Sequence, residues 1–428
     1  MPSHRPTAVL ASIGDEPIEA IGAIGPGALA RVLGSWRPGG STPTYAALAE
    51  AIRLLLLDGR LPIGTALPAE RILAAELGVS RTTVSAAYAQ LRDAGHLRSR
   101  QGARSVLALP VAPAADAGTA ADEAIALNIA APSAPDGIVA TAYRRAAEAL
   151  PQYLSGTGLF PTGLHALKES IARRYAARGL PTDAHQILVT AGAQHALRIV
   201  LDAVVAPGDR VLVEQPTHHG TLLAIRRHSA RLVPVALDPE HGWDLDQLEA
   251  AVRQQRPRLI FTIPDFHNPT GLLLDAAGRR RLSAISARYR VPVVVDETMV
   301  ELGLDQPAPP PVAAFVAPGA RILTIGSASK TVWAGLRIGW LRVAEATAAR
   351  FATARHDLDL ASPVLDQLAA AHALDHLDDF LPARRRLFAD NRALAIAAVR
   401  EQLPGAGIAR GVGGLCLWVA LDRPVATA

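Results

Sequence analysis

The chain has 428 residues, half of them apolar and 19% charged, with a formal net charge of +4 and a single cysteine. That length exceeds what one core organises, so two or three domains are expected, and the apolar fraction excludes a disordered chain. One cysteine, Cys416, excludes a disulfide framework or a cysteine-rich metal site, and with no leader-like opening or apolar run of membrane-spanning length the expectation is a soluble, cytoplasmic protein with no membrane partner.

Positive charge is written almost wholly as arginine: of 43 basic residues only Lys168 and Lys330 are lysines. Arginine pairs better with phosphate, but it cannot give up its proton and condense with an aldehyde. A lysine kept in such a chain is therefore a candidate for amine chemistry. The plainer reading, a surface lysine, weighs equally for Lys168.

Residues 1–39 are rich in Gly and Pro and read as an N-terminal arm with a short amphipathic candidate over 28–36. From Tyr45 the apolar residues Leu48, Ile52, Leu55 and Leu56 recur at helical spacing, and Asp58-Gly59 supplies a stop. A second helix is predicted over 69–77 with Ile72, Leu73 and Leu77 inward. A third follows Gly78-Val79, with Ser80 as its N-cap. Val84, Tyr88 and Leu91 share one face of the third helix, which leaves Arg81, Thr82, Ser85 and Gln90 toward the other. Two short helices joined by a Gly turn form a helix-turn-helix pattern. Residues 96–107 then read as two short strands about Gln101-Gly102, a wing. Over 69–104 the arginines 71, 81, 92, 98, 100 and 104 outnumber Glu70, Glu76 and Asp93, as suits phosphate contact.

The words L-P-A-E-R, L-G-V-S-R-T-T-V and A-Y-A-Q-L-R-D-A-G resemble the winged-helix domain of GntR-type transcriptional regulators, over residues 40–107. The resemblance implies contacts to double-stranded operator DNA from Arg71, from Ser80, Arg81, Thr82 and Thr83 at the head of the third helix, and from Gly102 in the wing. Ala103-Arg104 stands where the family often continues to a second wing glycine.

Residues 108–125 form an Ala/Pro/Asp linker without periodicity. Beyond it, over 126–428, short β-branched runs at 187–190, 210–213, 232–235, 259–263, 291–295, 322–325 and 340–343 alternate with helical segments. The pattern predicts an α/β domain with a mostly parallel sheet covered on both faces. Ligands of such sheets sit beyond the carboxyl ends of the strands, where residues 192–194, Asn268, Asp296 and 327–330 fall.

An aldehyde cofactor carrying a phosphate and a pyridine nitrogen needs four services: an amine, a carboxylate facing the ring nitrogen, a donor for the ring hydroxyl, and a phosphate cradle. Lys330 offers the amine and Asp296, closing the apolar strand V-P-V-V-V-D, the carboxylate. Asn268 in H-N-P-T-G offers the donor, while T-A-G-A-Q (190–194), Ser327 and Arg337 offer the cradle. Singly these have simpler readings: a helix cap or buried pair for Asp296, a turn for Asn-Pro, an ordinary glycine turn for T-A-G-A-Q. The histidines take no metal-motif spacing, and no G-x-S-x-G elbow or Walker lysine occurs.

In order and spacing, T-A-G-A-Q, H-N-P-T-G, V-V-V-D-E and S-A-S-K-x6-R resemble the fold-type I aminotransferases that bind pyridoxal 5'-phosphate. With the N-terminal domain, the whole is similar to the MocR subgroup of GntR regulators, in which an aminotransferase-like domain serves as effector sensor and dimerisation unit. The resemblance implies a Schiff base for Lys330, the pyridine nitrogen for Asp296, the ring hydroxyl for Asn268, and phosphate for Gly192, Ala193, Gln194, Ser327 and Arg337. It also implies a place for Tyr153 at the other subunit's phosphate in a homodimer. His218 stands where the family places an aromatic ring over the cofactor, and Thr298 and Met299 where it places a tyrosine. The family's small-domain tail, with its carboxylate-binding arginine, looks truncated. The expected function is therefore a DNA-binding regulator that senses an amine or vitamin effector with little or no turnover. The alternatives are an active aminotransferase with an accessory DNA-binding domain, and a regulator whose large domain is a cofactor-free scaffold.

Overall fold

A computed structural model describes residues 22–34, 36–37, 43–57, 60–61, 64–98, 105–108 and 129–421. The chain divides into two compact units, Met1–Ala124 and Ile125–Ala428.

The first unit opens with strand β1 (Gly22–Ala23) and helix α1 (Pro26–Leu33), which starts on proline, favourable at a first helical position. Leu29 and Leu33 of α1 are buried in the unit's core, so this part of the expected arm packs as an element of the fold. Helix α2 (Thr44–Leu57) buries Leu48, Ile52, Leu55 and Leu56 along one stripe. After β2 (Thr65–Ala66) comes α3 (Glu70–Leu77), stopped by Gly78 in the left-handed region at φ 62°. Helix α4 (Arg81–Asp93) buries Val84, Tyr88 and Leu91, and the Tyr88 hydroxyl donates to Pro68 O at 2.9 Å. Strands β3 (Leu97–Arg98) and β4 (Val106–Leu107) pair antiparallel, completing a sheet in the order β1-β2-β4-β3. The wing tip and Gly102 lie outside the described residues. One inward assignment is corrected: Ile72 is 56% exposed while Leu73 is fully buried. Successive residues on a helix diverge by about 100°, and the eight residues of α3 offer the core a stripe too narrow for both.

The second unit begins with α5 (Ile138–Ala149) and α6 (His165–Ala177), then alternates β5 (Ile187–Thr190), α7 (Ala193–Val204), β6 (Arg210–Gln215), α8 (His219–Arg227), β7 (Arg231–Asp238), β8 (Gly242–Trp243), α9 (Leu245–Gln255), β9 (Leu259–Thr262), α10 (Ala276–Tyr289), β10 (Val293–Asp296), β11 (Ile322–Ser327) and β12 (Gly339–Arg342). Helices α11 (Glu345–His356), α12 (Val364–Asp375) and α13 (Leu377–Gln402) and the short pair β13 (Gly407–Ile408) and β14 (Val419–Ala420) follow. The large sheet runs β5-β12-β11-β10-β9-β6-β7-β8. Its strands are parallel except β12, antiparallel to both neighbours, and the short β8. Alternation along each strand feeds two cores. Val293 and Val295 pack with α6, α9 and α10 residues such as Ile171, Leu248 and Ile285. Val294 faces the other way, toward α7, α8 and α11 residues such as Val200, Ile225 and Phe351. The expected mostly parallel α/β sheet, covered on both faces, is the observed one. Among the described residues no helix is long and apolar enough to cross a membrane.

Candidate functional site

In the first unit the start of α4 carries the sequence-derived DNA contacts. Ser80 Oγ accepts from Thr83 N at 3.0 Å, capping the helix, and lies 2.7 Å from the hydroxyls of both Thr82 and Thr83. Ser80 and Thr83 are thus partly committed to holding the helix end, while Arg81 and Thr82 are exposed. Glu70 Oε2 lies 3.8 Å from Arg81 Nε, and Arg71 projects into solvent one residue further along α3. Arg37 donates to the carbonyls of Leu77 and Gly78, closing the turn between α3 and α4 from outside.

In the second unit the predicted residues gather at one edge of the large sheet. The parallel strands β5, β6, β9, β10 and β11 end there at Thr190, Gln215, Thr262, Asp296 and Ser327, and antiparallel β12 starts there at Gly339. Lys330 sits in a π-helical turn, Ser329–Trp333, directly after β11. Ser327, buried, accepts from Ser329 N at 3.1 Å and donates to Ile338 O at 3.2 Å, tying that turn to the approach of β12. Gly192 caps the start of α7 at φ 111°, a conformation open to glycine. A Cβ there would meet Arg337 Nη2 at 3.3 Å, and a Cβ on Gly339 would meet the Gly192 backbone at 2.6 Å. Arg337 donates to Ala191 O at 2.7 Å. The head of α7 and Arg337 are therefore close neighbours. Gln194 Nε2 lies 3.3 Å from His218 Nδ1, which lies equally far from Thr221 Oγ1, so the histidine is held at the N-cap of α8. No hydrogen bond, ion pair or ring contact among the described residues joins Tyr153 to this cluster. Its ring packs edge-on against Phe160, centroids 5.8 Å apart.

Burial sets the electrostatics. Desolvation pushes the Lys330 amine below the ordinary lysine value, with Cys416 and Asp296 pulling back only in part, and its Nζ donates to Ala130 O at 2.5 Å. Desolvation likewise raises the Asp296 carboxyl, against hydrogen bonding from Thr298, whose N donates to Oδ1 at 2.8 Å, and the nearby charge of His218. His218 is held low, again chiefly by desolvation. The other lysine, Lys168, is not a surface residue: it is 8% exposed on α6, with its pKa lowered by burial and its Nζ 3.4 Å from Thr162 Oγ1.

Beneath Asn268 lies a polar support that sequence reasoning missed. Buried Glu214 at the end of β6 accepts from Thr262, Ile263 N and Trp243. Burial alone would raise its pKa, but His267, Thr262 and Trp243 outweigh burial and hold it below the usual range. Asp265 and Arg279, both fully buried, pair at 2.7 Å three residues ahead of Asn268. Also missed was Cys416, whose Sγ donates to Asn268 Oδ1 at 3.5 Å. Its membership in the G-G-L-C-L-W word beside the expected cofactor edge was the available signal. Among the described residues no cluster of His, Cys, Asp and Glu is arranged to hold a metal ion.

This arrangement gathers an amine, a carboxyl, an amide side chain and a glycine-led helix start at one edge of an α/β sheet. Residues 122–428 match the family model for class I and II aminotransferases, and residues 44–106 that for bacterial regulatory proteins of the gntR family. The chain is 27% identical over 423 residues to the uncharacterised HTH-type transcriptional regulator YisV of Bacillus subtilis, covering 91% of this chain and 87% of that one. It is 28% identical to the probable rhizopine catabolism regulatory protein MocR of Rhizobium meliloti, covering 84% and 78%. Among solved structures it resembles LysN, an alpha-aminoadipate aminotransferase of Thermus thermophilus, with a TM-score of 0.61 at 26% identity over 68% of this chain and 76% of that one. The chain belongs to the class I and II aminotransferase family. A gntR-type domain fused ahead of that fold makes it a GntR-family regulator with an aminotransferase-like large domain.

Proposed function

We propose that the protein binds operator DNA through Arg71 and the head of α4, and that its large domain holds pyridoxal 5'-phosphate at Lys330 to sense an amine or vitamin effector. The aminotransferase fold family depends on this cofactor. The observation that carries the reading is the convergence of Lys330, Asp296, Asn268, Ser327 and the Gly192–Arg337 cradle on one sheet edge. The residues fit the group: a desolvated amine, a desolvated carboxyl, and a helix start capped by a glycine at φ 111°, where a Cβ would crowd Arg337 Nη2 at 3.3 Å. Thr217 Oγ1, on the loop before His218, is in addition buried with no hydrogen-bond partner among the described residues.

Bound there, pyridoxal phosphate supplies an aldehyde that captures primary amines and a ring that accepts electrons. Lys330 would hold the aldehyde carbon, Asp296 would keep the ring nitrogen protonated, Asn268 would donate to the ring hydroxyl, and Ser327, Arg337 and the amides of residues 192–194 would hold the phosphate. His218 would lie against the ring. An amine committed to the aldehyde keeps at most one N–H, so occupancy competes with the Lys330 bond to Ala130 O. Ala130 lies at the N-terminal start of the large unit's described chain. A homodimer presenting two winged helices to paired half-sites completes the proposal.

Purified protein should show a visible absorption band with the cofactor, lost in Lys330→Ala, and Arg81→Ala should abolish protection of the promoter beside its own gene. A band that survives Lys330→Ala, or an unchanged footprint, refutes the corresponding half. Useful turnover of any amino acid with a keto acid would favour the aminotransferase alternative.

A further inference from the structure

The edge of the large sheet opposite the cofactor residues is lined with arginine. Five adjacent strands carry one each: Arg342 ends β12, Arg321 directly precedes β11, Arg290 lies three residues before β10, Arg258 directly precedes β9, and Arg210 opens β6. Arg231, in register with Arg210, continues the row on β7. At about 4.8 Å between strands, six strands span about 24 Å.

The first five of these border a cleft of about 1230 Å³, together with Arg253, Arg256 and Arg350, and among the described residues Asp209 is its only acidic lining residue. Asp209 is occupied, its Oδ2 accepting from Ala206 N at 2.8 Å. None of these arginines forms a salt bridge with a carboxylate among the described residues, whereas Arg174, Arg178, Arg279 and Arg355 of the same unit each do. Arg210, Arg258 and Arg350 instead donate to backbone carbonyls of Gln255, Val204 and Ala203, which fix their stems at helix ends. Arg342 is buried over the Tyr175 ring, while the others are exposed.

The five exposed guanidinium groups on β11, β10, β9, β6 and β7, left without counter-ions and repeated at strand spacing over about 19 Å, match a ligand whose negative charge also repeats. A duplex presents one charge per about 1.7 Å of axis and so can follow the whole row, which a lone phosphate cannot span. We infer that this arginine-lined edge is a second DNA-contacting surface, which binds the phosphate backbone of duplex DNA without reading its sequence. The inference rests on the proposal that the protein works on DNA, and it assigns the large domain a share of that binding.

The test uses the full chain and a random-sequence duplex of about 40 base pairs, with affinity measured by fluorescence anisotropy across a salt series. The variant Arg253→Gln/Arg256→Gln/Arg290→Gln/Arg321→Gln removes four charges whose side chains make no hydrogen bond or ion pair among the described residues. A melting temperature and cofactor absorption like those of the parent confirm that it folds. Affinity should fall on the order of tenfold, and the slope of log K against log salt should shrink by up to about 3.6, or about 0.9 per phosphate contact. The same loss should appear in an Arg71→Ala/Arg81→Ala background. Unchanged affinity and slope in the quadruple variant overturn the inference. So does a cleft in which pyrophosphate raises the melting temperature of the parent but not of the variant while DNA binding is unaltered, since it would then be a small-anion site. If Arg71→Ala/Arg81→Ala alone has no effect on binding to promoter DNA, the winged-helix reading fails, and the quadruple variant still decides the cleft.

Discussion

Arg279→Met is the sharpest test of how the fold holds Asn268. The Arg279 side chain is fully buried in α10, donates from Nη2 to Asp265 Oδ1 at 2.7 Å, and donates from Nε to Leu274 O at 2.9 Å. Asp265 is equally buried, and its Oδ2 has no hydrogen-bond partner among the described residues. Methionine keeps the apolar stem but strands the carboxylate in a dry site. Breaking a buried pair in this way costs about 3–5 kcal/mol, a large part of a domain stability of about 5–15 kcal/mol. Asp265→Leu/Arg279→Met removes both charges and should regain most of the loss, because a buried pair replaced by apolar groups is close to neutral. Four of the five tryptophans, Trp243, Trp333, Trp340 and Trp418, lie in the large unit. Their fluorescence during denaturant unfolding therefore follows this unit, and each transition is fitted separately because a two-unit chain need not unfold in one step. A single variant that costs less than about 1 kcal/mol, or a double variant no more stable than the single, would refute the reasoning. The cofactor readout adds a second arm: the double variant should recover stability better than cofactor affinity, since Asp265 and Arg279 also fix the turn that presents Asn268.

Two further outcomes follow from the site and from the helix cap. Since desolvation holds the Lys330 pKa below its ordinary 10.5, the neutral amine is available at lower pH than in a free lysine, and the rate of cofactor capture by apoprotein should rise with pH and level off before pH 10.5. The sign for stability is the same: with a folded pKa below the unfolded one, the charged form opposes folding at low pH, and that penalty lifts as pH climbs from the folded value toward the unfolded one. A capture rate still climbing through pH 10.5 contradicts the burial argument. Ser80→Ala removes the acceptor for Thr83 N and should destabilise the first unit by about 1 kcal/mol. Ser80→Asp should restore the cap yet weaken DNA binding by placing a carboxylate where phosphate is expected; equal DNA binding by both variants would leave no role for this helix end.

The apolar periodicity made the strands legible, and the ends of strands less so. The expected run 322–325 extends to Ser327 because Ser327 and Gly326 pair with Gly339 and Trp340 of β12. Glycine and serine carry little strand preference, so that extension is dictated by the partner strand. The run beginning at Val291 starts as a strand only at Val293, since Pro292 has no N–H to donate, although its carbonyl still accepts from Ile260 N at 3.0 Å. Lys330, Asp296 and Asn268 could be picked out because each is a polar group at the end of an apolar run. Glu214, Asp265 and Arg279 serve that same edge through burial and packing, which no local pattern encodes. Rarity proved an imperfect guide to chemistry, since Lys168 is as rare as Lys330 and is simply buried on α6.

The arginine row shows why strand order is the missing variable. Arg210, Arg231, Arg258, Arg290, Arg321 and Arg342 are separated by 21 to 32 residues and look scattered in an arginine-rich chain. The order β12-β11-β10-β9-β6-β7 places them side by side. The same order brings Lys330, Asp296, Asn268 and Gly192 together at the other end of those strands. The two edges nevertheless differ in chemistry. At the carboxyl ends each strand contributes a different group, as one small molecule with a distinct atom at each position requires. At the amino ends every strand contributes the same group, which gives no way to distinguish positions but suits a ligand that repeats. On the proposed function, substitutions on the second edge should change how tightly the protein holds DNA without changing which amine it recognises.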